Sequence, residues 1–191
     1  MSQPDATAHA DVVTPRLRLR LISAQSFEAI LRGNRAAAEA TLGCRIPDEF
    51  FYAHDFMAMR ILQLRQDAAY APFGPRALVL ADSAEMIGHV GFHSAPDPAY
   101  LAATVGPGIE IGYTVSAWRR RSGYAEEAVR GMIQWVHVCH GVARIVASIA
   151  PGNVASQRLA AKVGFTKVGE QIDEVDGPED VLLLRVPEDL R

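Results

Sequence analysis

Residues 110–128 constrain the fold of this chain most, because a strand, a basic turn and a helix follow one another directly within them. Residues 109–115 are β-branched and aromatic, which is typical of a strand. From Ala125 onwards, apolar residues recur at helical spacing. The turn between them contains arginines and a central glycine, Gly123. In such a turn, several free backbone N–H groups point to one position at the start of the helix. The positive end of the helix dipole makes this position attractive to anions, so the turn predicts a phosphate-binding site.

The turn differs from the two common glycine motifs that bind nucleotides. A P-loop needs a second glycine five residues upstream and a Gly-Lys-Ser/Thr sequence, and the turn has neither. The spacing Gly-x-Gly-x-x-Gly is also absent from it. The basic turn therefore predicts phosphate binding of another kind.

The other hydrophobic patterns predict a single α/β (α+β) domain. An alternating stretch at 16–21 indicates a half-buried first strand, and residues 77–80 and 86–92 indicate a hairpin. Further strands are predicted at 144–150, 165–171 and 181–186 and helices at about 23–33, 36–42, 54–66, 124–139 and 153–162. This order implies a mixed central sheet of about seven strands with helices on both faces.

The domain is predicted to span residues 14–191, after a loose tail at 1–13. Residues 35–75 give the weakest pattern, and an acidic turn is expected at 173–180. The loop at 94–108 contains three prolines. A loop of this length is either functional or a surface excursion, and the sequence leaves both open.

Composition excludes several classes of function. A formal charge of −3 and a pI near 6.1 argue against a general nucleic-acid binder. No apolar run approaches the ~20 residues that cross a bilayer, and the first residues do not resemble a signal peptide. The two cysteines, Cys44 and Cys139, are far apart, which suggests a reducing compartment, and we expect a cytoplasmic protein. The histidines form no metal-ligand spacing, so no metal is expected.

Two motifs resemble those of a known superfamily. Arg120, Gly123 and Ala125 resemble the Arg/Gln-x-x-Gly-x-Gly/Ala signature of the GNAT superfamily of acyl-CoA-dependent N-acetyltransferases. Residues 153–165 resemble the family's Asn-x-x-Ser/Ala and Lys-x-Gly-Phe pattern. The opening Thr-Pro-Arg-Leu-x-Leu-Arg, at 14–20, is similar to the branch that contains ribosomal-protein N-terminal (alanine/serine) acetyltransferases. Together these matches cover roughly residues 14–186.

The resemblance implies a cofactor site for acetyl-CoA. The strand is expected to splay after Tyr113, which would free the N–H of Val115 for the thioester carbonyl or the pantetheine arm. The turn would hold the pyrophosphate, chiefly by backbone N–H groups. The residues that the resemblance assigns to the cofactor are Tyr113, Val115, Arg120, Arg121, Ser122, Gly123, Tyr124, Ala125, Asn153 and Ser156. Asn153 also has the sequence context of a helix N-cap, and the two roles are compatible.

Direct transfer of an acetyl group to an amine needs a base, because an ammonium group cannot attack. Glu110 is the best-placed carboxylate, and the resemblance also implies a base in this strand. Glu110 could act directly or through a water molecule. A solvated glutamate at a strand end is the alternative. His93 and Asp97 are further candidates for the base.

One position departs from the family pattern. Many members carry a tyrosine in the second helix as the acid for the departing thiolate, and the matching residue here is Ala160. The ribosomal-protein branch lacks that tyrosine too and has a serine where this chain has Ser156, which becomes the candidate acid. A thiol with a pKa near ~8.5 leaves readily as its anion, so the acid contributes little.

The resemblance therefore implies an acyltransferase that moves the acetyl group of acetyl-CoA to a primary amine. The acceptor could be a protein N-terminus or a small amine, and Asp48 and Glu49 could favour a cationic one. A non-catalytic acyl-CoA-binding or sensing domain is the alternative. No nucleic-acid or membrane partner is expected, and the chain could be a monomer or a homodimer.

Overall fold

The computed structural model describes residues 10–52, 54–102, 104–175 and 177–187. Its strands form a single sheet in the spatial order β1-β2-β3-β4-β5-β6-β8-β7. All neighbours pair antiparallel except β5 and β6, which are parallel. The strands are β1 (Val12–Val13), β2 (Leu17–Leu21), β3 (Arg76–Leu80), β4 (Met86–Phe92), β5 (Ile109–Val115), β6 (Arg144–Ile149), β7 (Thr166–Asp173) and β8 (Gly177–Arg185).

The helices begin and end at the residues that their sequences favour. Asn34 and Asn153 accept hydrogen bonds from N–H groups of the first turn as N-caps, as Ser23 also does. Gly43, Gly141 and Gly164 adopt the left-handed conformation at C-termini. The helices are α1 (Ala24–Leu31), α2 (Arg35–Leu42), α3 (His54–Gln66), α4 (Ala99–Ala102), α5 (Tyr124–His140) and α6 (Val154–Val163), with 3-10 turns at Asp48–Tyr52, Ala71–Phe73 and Ala117–Arg119. No described helix combines the length and the apolar character that a membrane crossing requires.

The helices cover both faces of the sheet, as predicted. Along β3, Leu78 and Leu80 pack in a core with residues of α5 and α6. The alternate residues Ala77 and Val79 pack in a second core with residues of α1, α2 and α3. This alternation follows from the two-residue period of a strand, and it gives the sheet an α5/α6 face and an α3 face.

The centre of the sheet opens between its two parallel strands. β5 and β6 pair only through Ile109–Ile145 and Glu110–Val146, and beyond this point they separate. The separation therefore begins after Glu110, three residues earlier than the predicted position at Tyr113. It leaves the C-terminal half of β5 without a neighbour on that side.

Several boundaries differ from the sequence prediction. Val12 and Val13 lie within the predicted tail but pair with β2, while residues 1–9 and 188–191 lie outside the described residues. The predicted acidic turn is much shorter, because β8 already begins at Gly177 and pairs with β7 from there. The loop at 94–108 contains the short helix α4.

Candidate active site

A cleft of about 460 Å³ lies where β5 separates from β6, beside the N-termini of α5 and α6. Nine of the ten residues predicted to bind the cofactor line it; Ser122 does not. Arg119, Glu126 and Lys162 also line the cleft and were not predicted. The cleft is lined by Tyr113, Thr114, Val115, Arg119, Arg120, Arg121, Gly123, Tyr124, Ala125, Glu126, Asn153, Ala155, Ser156, Leu159 and Lys162.

The basic turn has the backbone conformation of an anion-binding loop. Arg121 and Gly123 both adopt positive φ, at 63° and 80°, directly before α5. Left-handed residues of this kind turn neighbouring N–H groups towards one side, and the helix dipole adds positive potential there. Arg120 and Arg121 form no ion pair with any described residue. The turn thus offers N–H groups and free positive charge to a phosphate.

The turn is held in place from its outer side. Arg120 donates from Nε to the Val115 carbonyl at 3.1 Å. Arg16 donates to the Ser122 carbonyl at 3.0 Å and pairs with Glu127 of α5 at 2.6 Å. Ser122 therefore supports the loop through its carbonyl.

The separated half of β5 directs backbone groups into the cleft. Glu110 accepts a hydrogen bond from the His93 N–H, and Ser116 donates to Ile87, so even-numbered residues bond to the β4 side. Backbone groups alternate along an antiparallel strand. The N–H groups of Tyr113 and Val115 consequently point to the side from which β6 has separated, as expected for groups that could bind a thioester carbonyl or an amide arm.

Helix α6 presents its first turn to the cleft. The Asn153 side chain accepts from the Ser156 N–H at 3.2 Å, so Asn153 acts as an N-cap while also lining the cleft. Ala160 is buried in the core, at 3% exposure, and does not reach the cleft. The Tyr113 hydroxyl is buried and has no hydrogen-bond partner among the described residues. Burial raises its pKa, and the nearby Ser156 hydroxyl acts in the opposite direction without making a well-formed hydrogen bond.

Glu110 lies on the α3 face of the sheet, opposite the cleft. Its side chain is buried, so the alternative of a solvated strand-end glutamate is wrong. Tyr100 of α4 donates to Glu110 Oε2 at 2.9 Å, and His93 Nδ1 lies 3.5 Å from the same oxygen. Burial raises the pKa of Glu110, but the side chains of His93, Ser148 and Tyr100 together outweigh it and leave the pKa below its usual value. The carboxylate is therefore ionised at neutral pH.

The two other candidates for the base differ in position. His93 contacts Glu110, and its side chain is 41% exposed, so it connects the buried carboxylate to solvent. Its ring lies over Gly112, where a Cβ atom would be only 2.5 Å from His93 Nε2, so a larger residue at this position would displace the imidazole. Asp97 instead closes the 94–108 loop, with its N–H bonded to the Gly108 carbonyl and a positive φ of 61°.

Sequence reasoning missed the residues that complete this environment. Tyr100 sits in a loop whose path no local pattern reveals, and Ser148 lies in a short, mostly apolar strand whose sequence gives no sign of its partners. Arg119 directly precedes Arg120 of the basic turn but was not assigned to the site. Among the described residues, no group of His, Cys, Asp or Glu is arranged to hold a metal ion.

Comparison with known proteins identifies the fold and the family. Residues 16–166 match the family model described as an acetyltransferase (GNAT) domain. The uncharacterised N-acetyltransferase YjdG of Bacillus subtilis is 29% identical over 154 residues, which is 80% of this chain and 87% of the relative.

Solved structures show the same fold. The ribosomal-protein-S5-alanine acetyltransferase of Vibrio fischeri superposes with a TM-score of 0.63 at 20% identity, covering 94% of this chain and 97% of the other. The microcin C7 self-immunity acetyltransferase MccE, solved with acetyl-CoA and AMP, gives a TM-score of 0.57 at 16% identity, covering 92% and 94%. Because the family model matches most of its length, the chain belongs to the GNAT family of acetyltransferases.

Proposed function

We propose that this protein transfers the acetyl group of acetyl-CoA to a primary amine by direct attack, with Glu110 as the base. The observation that carries the proposal is the arrangement around β5: a cleft bordered by the basic turn on one side and a buried, ionised carboxylate on the other. The strands between them separate directly after Glu110. A thioester bound in the cleft and an amine bound at Glu110 would meet through this gap.

The residues of the cleft fit acetyl-CoA. The positive φ angles at Arg121 and Gly123 build a concave set of N–H groups at the start of α5, which suits a pyrophosphate. The inward N–H groups of Tyr113 and Val115 suit an amide chain or a thioester carbonyl. When bound, acetyl-CoA supplies the activated acetyl group.

Glu110 and its neighbours would accept the proton of the acceptor amine and transfer it to solvent. The ionised carboxylate attracts an ammonium group and accepts its proton, directly or through a water molecule. His93, half exposed and next to Glu110 Oε2, offers the proton a path to solvent. Tyr100 orients the carboxylate through its 2.9 Å hydrogen bond.

A panel of acceptors tests the proposal. The purified chain is incubated with acetyl-CoA and with N-terminal peptides, polyamines, amino acids and aminoglycosides, and the release of the CoA thiol is followed. We expect release that depends on one class of amine. Tight CoA binding without thiol release for any amine would contradict the proposal and would fit a sensing domain instead.

A further inference from the structure

Arg60 of α3 is a buried cation for which no described residue supplies a counter-ion. Arg60 is only 8% exposed, and it forms no ion pair with any residue in the described part of the chain. Removing a charge from water is unfavourable unless an opposite charge compensates it. A buried guanidinium that lacks such a partner within the fold is suited to an anion from outside.

The contacts of Arg60 fix its orientation without neutralising it. Nη1 donates to Gln63 Oε1 at 2.7 Å, to the Tyr70 hydroxyl at 3.2 Å and to the His93 carbonyl at 3.4 Å. All three acceptors are uncharged. Nη2 donates to no described residue and is accessible to solvent. Nε is shielded from solvent and has no partner among the residues that the structure describes. Nη2 is therefore the atom that remains available to a ligand.

His93 joins Arg60 to the proposed base. Arg60 and Gln63 both donate to its carbonyl, the latter at 2.6 Å, while its ring lies 3.5 Å from Glu110. Arg60 also lies near Tyr100: burial is the main cause that raises the pKa of Tyr100, and the Arg60 charge acts against it. The Arg60 guanidinium and the Glu110 carboxylate thus lie on the two sides of His93, on the same face of the sheet.

We propose that Arg60 binds a carboxylate of the acceptor, so that the acceptor is a small zwitterionic amine such as an α-amino acid. Its amine lies at Glu110, and its carboxylate, a few bonds away, lies at Arg60. This inference rests on the proposed function, and it narrows the acceptor class. A peptide N-terminus with neutral side chains has an amide in place of that carboxylate. The acidic residue Asp48, which could have favoured a cationic acceptor, is already paired with Arg35.

A matched series of acceptors tests the inference on the unmodified protein. Phenylalanine, phenylalaninamide and phenethylamine share a side chain and an amine, and only the first carries a carboxylate; the same series is run for alanine, together with a peptide that begins with alanine. Loss of a hydrogen bond to a charged group of this kind weakens binding by about 10–100-fold. We expect kcat/KM to be higher by that factor for the amino acid in at least one series.

Variants then assign the preference to Arg60. In Arg60→Gln, the ratio of kcat/KM for the amino acid to that for its carboxamide should fall at least ~10-fold, mainly through KM. Arg60→Lys, which keeps the charge, should retain part of the ratio. Arg65→Gln is the control, because Arg65 lies on the same helix, is exposed and pairs with Glu28. It should keep the wild-type ratio.

The outcomes separate this inference from the proposed function. Thiol release with peptides or neutral amines but with no preference for a carboxylate in the unmodified protein would overturn the Arg60 inference alone. An unchanged ratio in a folded Arg60→Gln variant would overturn it as well. If Arg60→Gln does not fold, the acceptor series and Arg60→Lys decide. The absence of thiol release with every acceptor, despite CoA binding, would instead overturn the proposed function.

Discussion

At the scale of single residues, the ionisation of Glu110 decides how the proposed base works. Its pKa is lowered, because three polar side chains outweigh burial. A carboxylate with a low pKa is a weak base for an ammonium group, and the best general base has a pKa near the working pH. Glu110 is therefore suited to hold the acceptor and receive its proton briefly, with His93 as the exit.

Replacing Glu110 tests this role through pH dependence. Glu110→Gln should lower kcat at pH 7 by ~100-fold or more, because an amide cannot accept the proton. The deficit should shrink towards pH 9–10, where free amine is abundant. Glu170→Gln, in an exposed ion pair with Lys167 far from the cleft, is the control. A pH–rate profile that coincides with that of the wild type would remove Glu110 from the mechanism.

Ser156 is the candidate acid for the thiolate, and the structure allows its hydroxyl to be tested separately from the helix cap. The cap bond joins the Ser156 N–H to Asn153, and it survives when Ser156 becomes alanine. Ser156→Ala should therefore lower kcat ~10–100-fold at most, at or below the low end for acid catalysis, with CoA affinity and Tm near wild type.

The matched variants separate three explanations of a result at Ser156. Asn153→Ala removes the cap and should cost about 1 kcal/mol of stability. Tyr113→Phe removes the buried hydroxyl that approaches Ser156. Full activity in both Ser156→Ala and Tyr113→Phe would mean that water protonates the thiolate. A loss of several degrees in the Tm of Ser156→Ala would make the residue structural.

At the scale of elements, the two ends of α5 provide a controlled test of the proposed phosphate site. Gly123 and Gly141 flank the helix with φ of 80° and 69°, and an added Cβ meets no atom within 4 Å at Gly141 and only Arg16 Nη2, at 3.4 Å, at Gly123. Alanine at either position should cost about 1–2 kcal/mol through the left-handed conformation. Only Gly123→Ala should weaken CoA binding, by about tenfold or more, in calorimetric titration. An equal affinity in the two variants would rule out the turn as the phosphate site.

Elements with a strong local signal were predicted from sequence with correct bounds. The helix at 54–66 and the strands at 86–92 and 109–115 match the structure, because periodic apolar residues end there at glycine, proline or polar turns. β1 was missed because a two-residue edge strand has no period to detect. The start of β8 was missed because Pro178, Glu179 and Asp180 are polar or turn-favouring residues in an exposed hairpin, where pairing does not require an apolar pattern.

The grouping of residues in the candidate site was predictable where they are local in sequence and unpredictable where distant segments meet. The basic turn and the first turn of α6 each carry a motif, and nine of the ten residues assigned to the cofactor line one cleft. The contacts of Glu110 with Tyr100 and Ser148 depend on how the 94–108 loop and β6 are placed. Arg60 shows no local sign of burial, because its partners Tyr70 and His93 come from other segments.

At the scale of the whole molecule, the lowered pKa of His89 makes the stability of the fold depend on pH. The imidazole packs against Phe56 and Phe50, with ring centroids 4.7 and 5.7 Å away, and its buried Nδ1 has no hydrogen-bond partner in the described part of the chain. Burial, and secondarily the Arg60 charge, lower its pKa from 6.5 to about 4. Below pH 6.5 the unfolded chain binds a proton at His89 that the folded chain does not. The free energy of unfolding therefore decreases as the pH is lowered, until the pKa of the folded state is reached.

Chemical denaturation between pH 7 and pH 4.5 measures this loss. The lowered pKa corresponds to at most about 3 kcal/mol across that window, because each unit is worth about 1.4 kcal/mol. His89→Leu, which keeps an apolar side chain between the two phenylalanines, should flatten the dependence on pH, while His54→Leu, at an exposed position of α3, should keep the wild-type slope. Carboxylates with lowered pKa values, such as Glu110 and Glu127, act mainly below this window. If His89→Leu keeps the full wild-type slope, the buried imidazole does not cause the acid sensitivity.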